Sequence, residues 1–357
     1  MNKQKVYKIL TILLLFQWAF YQLISQYPYF VETFYSNGIF PIISSALHFS
    51  LGWIPFSFGD LLYLVLAILI IFSVVKTIRQ RSWNLKNTFF KTTGILSVSY
   101  FLFSFGWGIN YFRIPVNEHL GFKNSTYSEE ELINFTKILI AKVNTVQVQI
   151  TGNDTLMVKN PDQREKIQQI AFKSYTQLEQ KYPQFSIKHA SIKKSIFSIP
   201  LTYMGFAGYL NPFTNEAQVN MLIPKNNYPS TACHEIAHQI GIGPENEANF
   251  VGYLATVNSK NKYFNYAGNL MALRYCLSNI YRQDIDTFNQ LKKTINTGIL
   301  KDMQQSQDFW KKYRNWSEKY FKIFYDNFLK ANKQKEGIKS YHKMVSLLIN
   351  YHKTTKL

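Results

Sequence analysis

The sequence predicts an α+β protein, mainly helical, with an N-terminal membrane region of three helices followed by a single larger domain. Three observations carry this. Apolar residues crowd into the first third of the chain. Charge is scarce, with charged residues at 17% and hydrophobic ones at 46%. Beyond about residue 112, amphipathic helical patterns give way in places to short strand-like stretches. The 357 residues suffice for two or three compact units with a real core. This much apolar surface excludes a disordered chain, and two cysteines, Cys233 and Cys276, exclude a disulfide scaffold.

The membrane region is assigned to residues 1–111, with spans at about 7–26, 58–77 and 92–110. Each approaches the roughly 20 residues that a bilayer-crossing helix needs. The first run follows a basic start at Lys3, Lys5 and Lys8, as a signal peptide does. It continues into SQYPYFVETF with no small-residue cleavage site, so it is read as a retained span. The loop between spans two and three holds Lys76, Arg79, Arg81, Lys86 and Lys91. The loop between spans one and two has Glu32 and no Lys or Arg. The positive-inside rule then places the N-terminus in the cytoplasm and everything after about Tyr111 on the other side. Asp60, at the edge of the second span, reads as an interfacial helix cap.

Residues 112–357 read as one extracytoplasmic α+β domain. Ser128 and Glu131 form a capping-box signature for a helix over Ser128–Val143. The alternation in TVQVQI predicts a strand at Thr145–Ile150 that ends in the turn Thr151–Asp154. A helix follows over about 161–181, then irregular strand structure over 200–224, and mostly helix from Thr231 onward. The net charge of +19 does not imply nucleic acid, because no nucleic-acid motif occurs and the domain faces away from the cytoplasm. A merely basic proteome is preferred to contact with an anionic envelope surface.

The chemistry lies in His234-Glu235-Ile236-Ala237-His238. Positions i and i+4 share a helix face, so both imidazoles can reach one metal ion, Zn2+ by preference. Glu235 lies about 100° around the helix, placed to act on a metal-activated water as general base. With seven His in the chain, chance would place this pattern in about one such sequence in two hundred. Ala232, Cys233, Ile236, Ala237 and Ile240 supply the apolar back, Ser230 or Thr231 a cap, and Gly241, Gly243 and Pro244 the stop. A second acidic helix opens at Glu245-Asn246-Glu247-Ala248-Asn249.

HEIAH followed by ENEAN resembles the gluzincin type of zinc peptidase. That resemblance implies a zincin-like metallopeptidase domain with Glu245 as the third zinc ligand and Asn249 bracing a ligating histidine from behind. Only six residues separate His238 from Glu245, fewer than most gluzincins have, so Glu247 stands as the alternative, with Glu245 preferred. GYLNPFTNEAQVN, ACHEIAHQIGI, ENEANFVGYLA and KEGIKSY are similar to a bacterial membrane-protein family described as domain of unknown function 3810. It implies a multi-pass protein of the bacterial plasma membrane and supplies no substrate.

Other residues are weighed against blander roles. Phe213–Asn220 is a candidate strand for pairing with an extended substrate, and Glu216 a weaker candidate acid. Tyr341, His342, Tyr253 and Tyr203 are the candidates for oxyanion donor, with no choice among them. His48, His119, His189 and His352 read as surface or packed residues, Cys233 as a buried thiol. The aromatics Phe309, Trp310, Tyr313, Trp316, Tyr320, Phe321 and Phe324 read as core. The expected function is a membrane-anchored zinc metallopeptidase acting on peptide or protein substrates. The alternative is a non-catalytic envelope scaffold or sensor whose zinc site is structural or vestigial.

Overall fold

The computed structural model describes residues 2–80, 84–123, 125–332, 334 and 341–355. Arg81 and most of KEGIKSY lie outside the described residues. The chain is mainly helical with a small sheet, consistent with α+β.

Helix α1 (Lys3–Ile24) leads through a one-turn α2 (Pro28–Phe30) and a π-helix (Val31–Ile39) into α3 (Phe40–Leu51). Next come α4 (Phe58–Gln80) and α5 (Leu85–Gly106), which ends in a 3-10 turn at Gly108–Phe112. Among the described residues, two helices are long and apolar enough to cross a membrane, Lys3–Ile24 and Phe58–Arg79. Their composition is consistent with a membrane anchor. This corrects the expectation of three spans. The third segment does form a helix, but the first half of α5 carries Lys86, Asn87, Lys91, Thr92 and Thr93, too polar to qualify.

Helix α5 nevertheless runs parallel to α1 along its whole length. Gln4 donates to Asn87 at 2.6 Å, Thr11 and Thr93 share hydroxyls at 2.7 Å, and Tyr21 donates to the Gly108 carbonyl at 3.0 Å. Gln4 and Tyr21 are about 26 Å apart along α1 at 1.5 Å per residue.

After a short α6 (Val116–His119), α7 (Glu129–Thr151) opens with the capping box that the sequence predicts. It does not stop at Val143. The stretch read as a strand, Thr145–Ile150, forms its last turns. TVQVQI satisfies a helical register as well as an alternating one, because Leu139, Val143, Val146 and Gln147 continue the buried stripe begun at Leu132. Gly152, at φ +71°, ends the helix as its left-handed residue.

Helix α8 (Arg164–Leu178) precedes β1 (Ile192–Lys194), α9 (Ser198–Met204), β2 (Gly208–Asn211) and β3 (Glu216–Val219). Then follow α10 (Tyr228–Gln239), α11 (Glu245–Val257), α12 (Lys262–Gln283), α13 (Ile285–Lys292), α14 (Thr297–Tyr313), α15 (Glu318–Ala331) and α16 (Tyr341–His352). The core is built around α10 and α11, with Tyr175, Tyr228, Tyr253 and Tyr266 its largest buried side chains among the described residues.

The sheet order is β1-β3-β2, with β1 parallel and β2 antiparallel to β3. The segment Phe213–Asn220 therefore holds a central strand with both edges paired, and it has no edge to offer a substrate. The edge strands are β1 and β2, and β2 is the one beside Glu235. Asn220 N donates to Ala207 O, and hydrogen-bonded pairs alternate in an antiparallel ladder. In that phase Gly208 and Leu210, paired with Val219 and Ala217, turn their main-chain groups outward.

The N-terminal helices are fastened to this sheet. Glu216 accepts from Phe58 N at 3.2 Å and Gly59 N at 2.6 Å, capping the start of α4 from β3. Glu216 is thus a structural cap rather than an extra acid at the site. Asp60, fully buried, accepts from Ser195 Oγ at 3.0 Å, Ile196 N at 2.7 Å and the Tyr209 hydroxyl, so it ties α4 to β2 rather than capping its own helix. A second core joins α1, the π-helix and the end of α5 through Tyr21, Val31, Tyr35, Phe40, Trp107 and Phe112.

The late aromatics divide. Phe309 and Trp310 pack on the core, but Trp316, Tyr320 and Phe324 are 82, 63 and 72% exposed. Helical spacing marks a shared face and does not say what the face meets.

A candidate metal centre on helices α10 and α11

Helix α10 begins at Tyr228 with Pro229 in its first turn, three residues before the expected cap region ends. Ser230 and Thr231 lie inside it and bond back to the Asn227 carbonyl. Its end is a Schellman turn: Ile242 N donates to Ala237 O at 3.0 Å and Gly241 N to His238 O at 3.0 Å, with Gly241 at φ +82°. The turn brings the Ile242 carbonyl to 2.7 Å from His238 Nδ1, which orients that ring.

The other face of each imidazole points inward. His234 Nε2 and His238 Nε2 are 3.1 Å apart with perpendicular rings. Glu245, at the first position of α11, places Oε2 3.3 Å from His234 Nε2 and Oε1 3.5 Å from His238 Nε2. The candidate ligand atoms of His234, Glu235 and His238 also lie within 4.8 Å of one another. Two imidazole nitrogens and a carboxylate, turned on one point, form a donor set suited to zinc. Glu247 is not in this group. It points to the N-terminus of α6, where Oε2 accepts from Val116 N at 3.4 Å, and burial raises its carboxyl to about 7.

Glu235 is 3% exposed, and its Oε2 has no hydrogen-bond partner among the described residues. Burial raises its carboxyl to about 7 against the opposing pull of His234 and His238. Burial also raises Glu245, but the two histidines outweigh it and hold that carboxyl well below its ordinary value. Burial lowers His238, and Glu245 overrides it, lifting the ring to about 9. These directions belong to the metal-free site, and a bound cation replaces the protons.

Asn249 lies one turn beyond Glu245 and its Nδ2 donates to the Glu245 carbonyl at 2.8 Å. No hydrogen bond joins it to either imidazole among the described residues, and His234 Nδ1 is buried without a partner.

Several neighbours were not found from sequence. Tyr325 of α15 donates to Glu245 Oε1 at 2.5 Å, its ring against Phe206. Trp107 Nε1 donates to His238 O at 2.9 Å, and Arg113 Nη1 to Ile240 O at 2.9 Å. Both meet the negative end of α10. Arg113 is held in turn by Glu32, with Nε to Oε2 at 2.9 Å and Nη2 to Oε1 at 2.7 Å. No local motif links residues so far apart in the chain, and the only signal was their type.

Of the earlier candidates for oxyanion donor, Tyr253 bonds to His352 at 2.8 Å and Tyr203 stacks edge-on with Tyr313. The side chains of Tyr341 and His342 lie outside the described residues. His48 is packed, its Nε2 2.9 Å from Asn215 O. Cys233 is buried, as expected.

No curated protein and no solved structure matches the chain. One family model matches residues 35–349, described as a protein of unknown function, DUF3810. That match spans most of the sequence, and the chain belongs to the DUF3810 family.

Proposed function

We propose that this protein is a membrane-anchored zinc-dependent peptidase that hydrolyses peptides or envelope proteins on the extracytoplasmic side of a bacterial plasma membrane. The observation that carries the reading is the convergence of His234, His238 and Glu245 beside a buried Glu235 that adjoins the edge strand β2. The residues fit zinc: His234 Nε2, His238 Nε2 and the Glu245 carboxylate lie 3.1 to 3.5 Å from one another, and Glu235 Oε2 is a buried oxygen next to them with no hydrogen-bond partner among the described residues. Bound there, zinc lowers the pKa of a coordinated water toward 7 and polarises a carbonyl.

The chain's own residues do the rest. His234, His238 and Glu245 hold the ion. Glu235 accepts the proton of the attacking water and delivers it to the leaving amine. The outward main-chain groups of Gly208 and Leu210 align an extended peptide beside Glu235 by strand addition.

The membrane reading rests on α1 and α4, which have the length and composition to cross a bilayer, while α5 packs parallel to α1. Lys3, Lys5, Lys8, Lys86 and Lys91 then gather at one end and the domain at the other, which supports a cytoplasmic N-terminus.

The test uses the full chain in detergent. The reading expects about one zinc per chain, lost in His234→Ala and kept in Glu235→Gln. Hydrolysis of a quenched peptide library is expected only in the wild type. A folded wild type that takes up no zinc when it is supplied, or a Glu235→Gln variant that keeps full hydrolysis, overturns the catalytic reading. The first result would leave the scaffold or sensor.

A further inference from the structure

Helix α15 has two opposed faces. Inward, Tyr325 reaches Glu245, Phe328 packs on Phe103 and Tyr111 at the end of α5, and Asn332 just past the helix accepts from the Tyr21 hydroxyl of α1 at 3.0 Å. Outward, Tyr320, Ile323 and Phe324 are 63, 50 and 72% exposed, and Trp316 in the preceding turn is 82% exposed. Residues 316, 320, 323, 324 and 327 fall within one narrow arc at 100° per residue, with Tyr325, Phe328 and Asn332 across from it. Lys319 and Lys330 flank the arc and both are exposed.

An apolar face this aromatic is costly to leave in water on a monomer. Its composition is that of an interfacial helix, with Trp and Tyr rings at headgroup depth and lysines toward the phosphates. Its position agrees. The inner face is fastened to the domain-side ends of α1 and α5, and the outer sides of α1 and α5 are themselves exposed apolar surface, among them Leu15, Phe16, Leu102 and Phe105. The outward face of α15 continues that surface.

We propose that this face of α15 seats in the bilayer leaflet on the domain's side, so that the helix touching the His234–His238–Glu245 cluster is held by lipid. The inference rests on the membrane reading above and adds to it. It sets the cluster one helix away from the membrane surface and favours substrates presented there, such as the surface-proximal segment of a membrane-bound polypeptide.

The test reconstitutes the full chain in liposomes of zwitterionic and anionic phospholipid. Cys233 and Cys276 are buried, so single cysteines introduced as Tyr320→Cys or Phe324→Cys can be spin-labelled selectively. Leu69→Cys on α4 and Lys137→Cys on α7 serve as references. Collision with lipid-soluble oxygen against a water-soluble nickel chelate reads depth. The expected result is that labels at 320 and 324 favour oxygen several-fold over the label at 137. Labels at 320 and 324 as chelate-accessible as 137, with 69 still lipid-buried, overturn the proposal and leave the membrane reading intact. A label at 69 that is also aqueous overturns both. Disulfide formation between two copies through Phe324→Cys assigns the face to a second copy and likewise overturns it.

Discussion

Gly208 lies flat against the Glu235 carboxylate: a Cβ at this position would stand 2.6 Å from Oε1 and 2.7 Å from the Gln218 carbonyl. The edge strand β2 and the general-base candidate are therefore in direct contact, and a glycine is what permits it. Gly208→Ala should displace Glu235 or part β2 from β3, lowering hydrolysis by about 100-fold. Zinc content should change little by comparison. Equal activity in the alanine variant would show that Glu235 does not work from this position.

The choice between two neighbouring carboxylates is open to direct measurement. Glu245→Gln should lose zinc on dialysis against a mild chelator, whereas Glu247→Gln should keep it, because Glu247 serves the α6 terminus. The reverse pattern would move the third ligand to Glu247.

Tyr325 holds Glu245 in place from another helix. Tyr325→Phe removes that donor and should weaken zinc binding by about 10-fold in competition with a chromogenic chelator. Tyr253→Phe, whose hydroxyl serves His352, is the matched control and should leave the affinity unchanged.

Glu32 carries a pH signature. Its carboxyl is raised by burial, but His119 and Arg113 outweigh that and hold it at about 2 against an ordinary 4.5. Since the folded pKa is depressed, the stability it contributes is present above pH 4.5 and is lost as pH falls toward 2. Glu32→Gln should cost about 3 kcal/mol at pH 7 by leaving Arg113 buried without its partner. The gap between wild type and variant in denaturation midpoints should narrow below pH 4.5. A gap independent of pH would mean that the ion pair contributes nothing to folding.

The domain after Arg113 is not expected to stand alone. Removing residues 1–112 takes Trp107 from His238 and the α4 amides from Glu216, and it deletes the second core, leaving exposed the surfaces of the domain that these helices cover. A 113–357 fragment should aggregate or bind zinc far more weakly than the full chain in detergent. A monomeric fragment with full zinc affinity would show that these contacts are dispensable.

How much could be read beforehand follows from the range of each interaction. His234, Glu235 and His238 sit within five residues and share one helix, so their spacing alone placed them together. The Ser128–Glu131 cap was legible for the same reason. Thr145–Ile150 was not, because six residues of alternating Val, Gln and Thr satisfy two periodicities, and packing of the preceding stripe decided for helix. Phe213–Asn220 was recognised as strand-forming, but whether a strand is central or at an edge depends on β1 and β2. Trp107, Arg113 and Tyr325 reach the cluster from up to 131 positions away along the chain, beyond any local pattern.

The cap that Glu216 places on α4 also orders events in time. Glu216 follows Gly59 by 157 positions, so at ordinary rates of synthesis its carboxylate emerges on the order of ten seconds after that helix. For that interval the start of α4 relies on water at its open amides, while its apolar body is already available for insertion. The helix is therefore synthesised before the sheet, and the sheet before α10. On the membrane reading proposed above, this order of synthesis presents the anchoring helices first and completes the His234–His238–Glu245 cluster last.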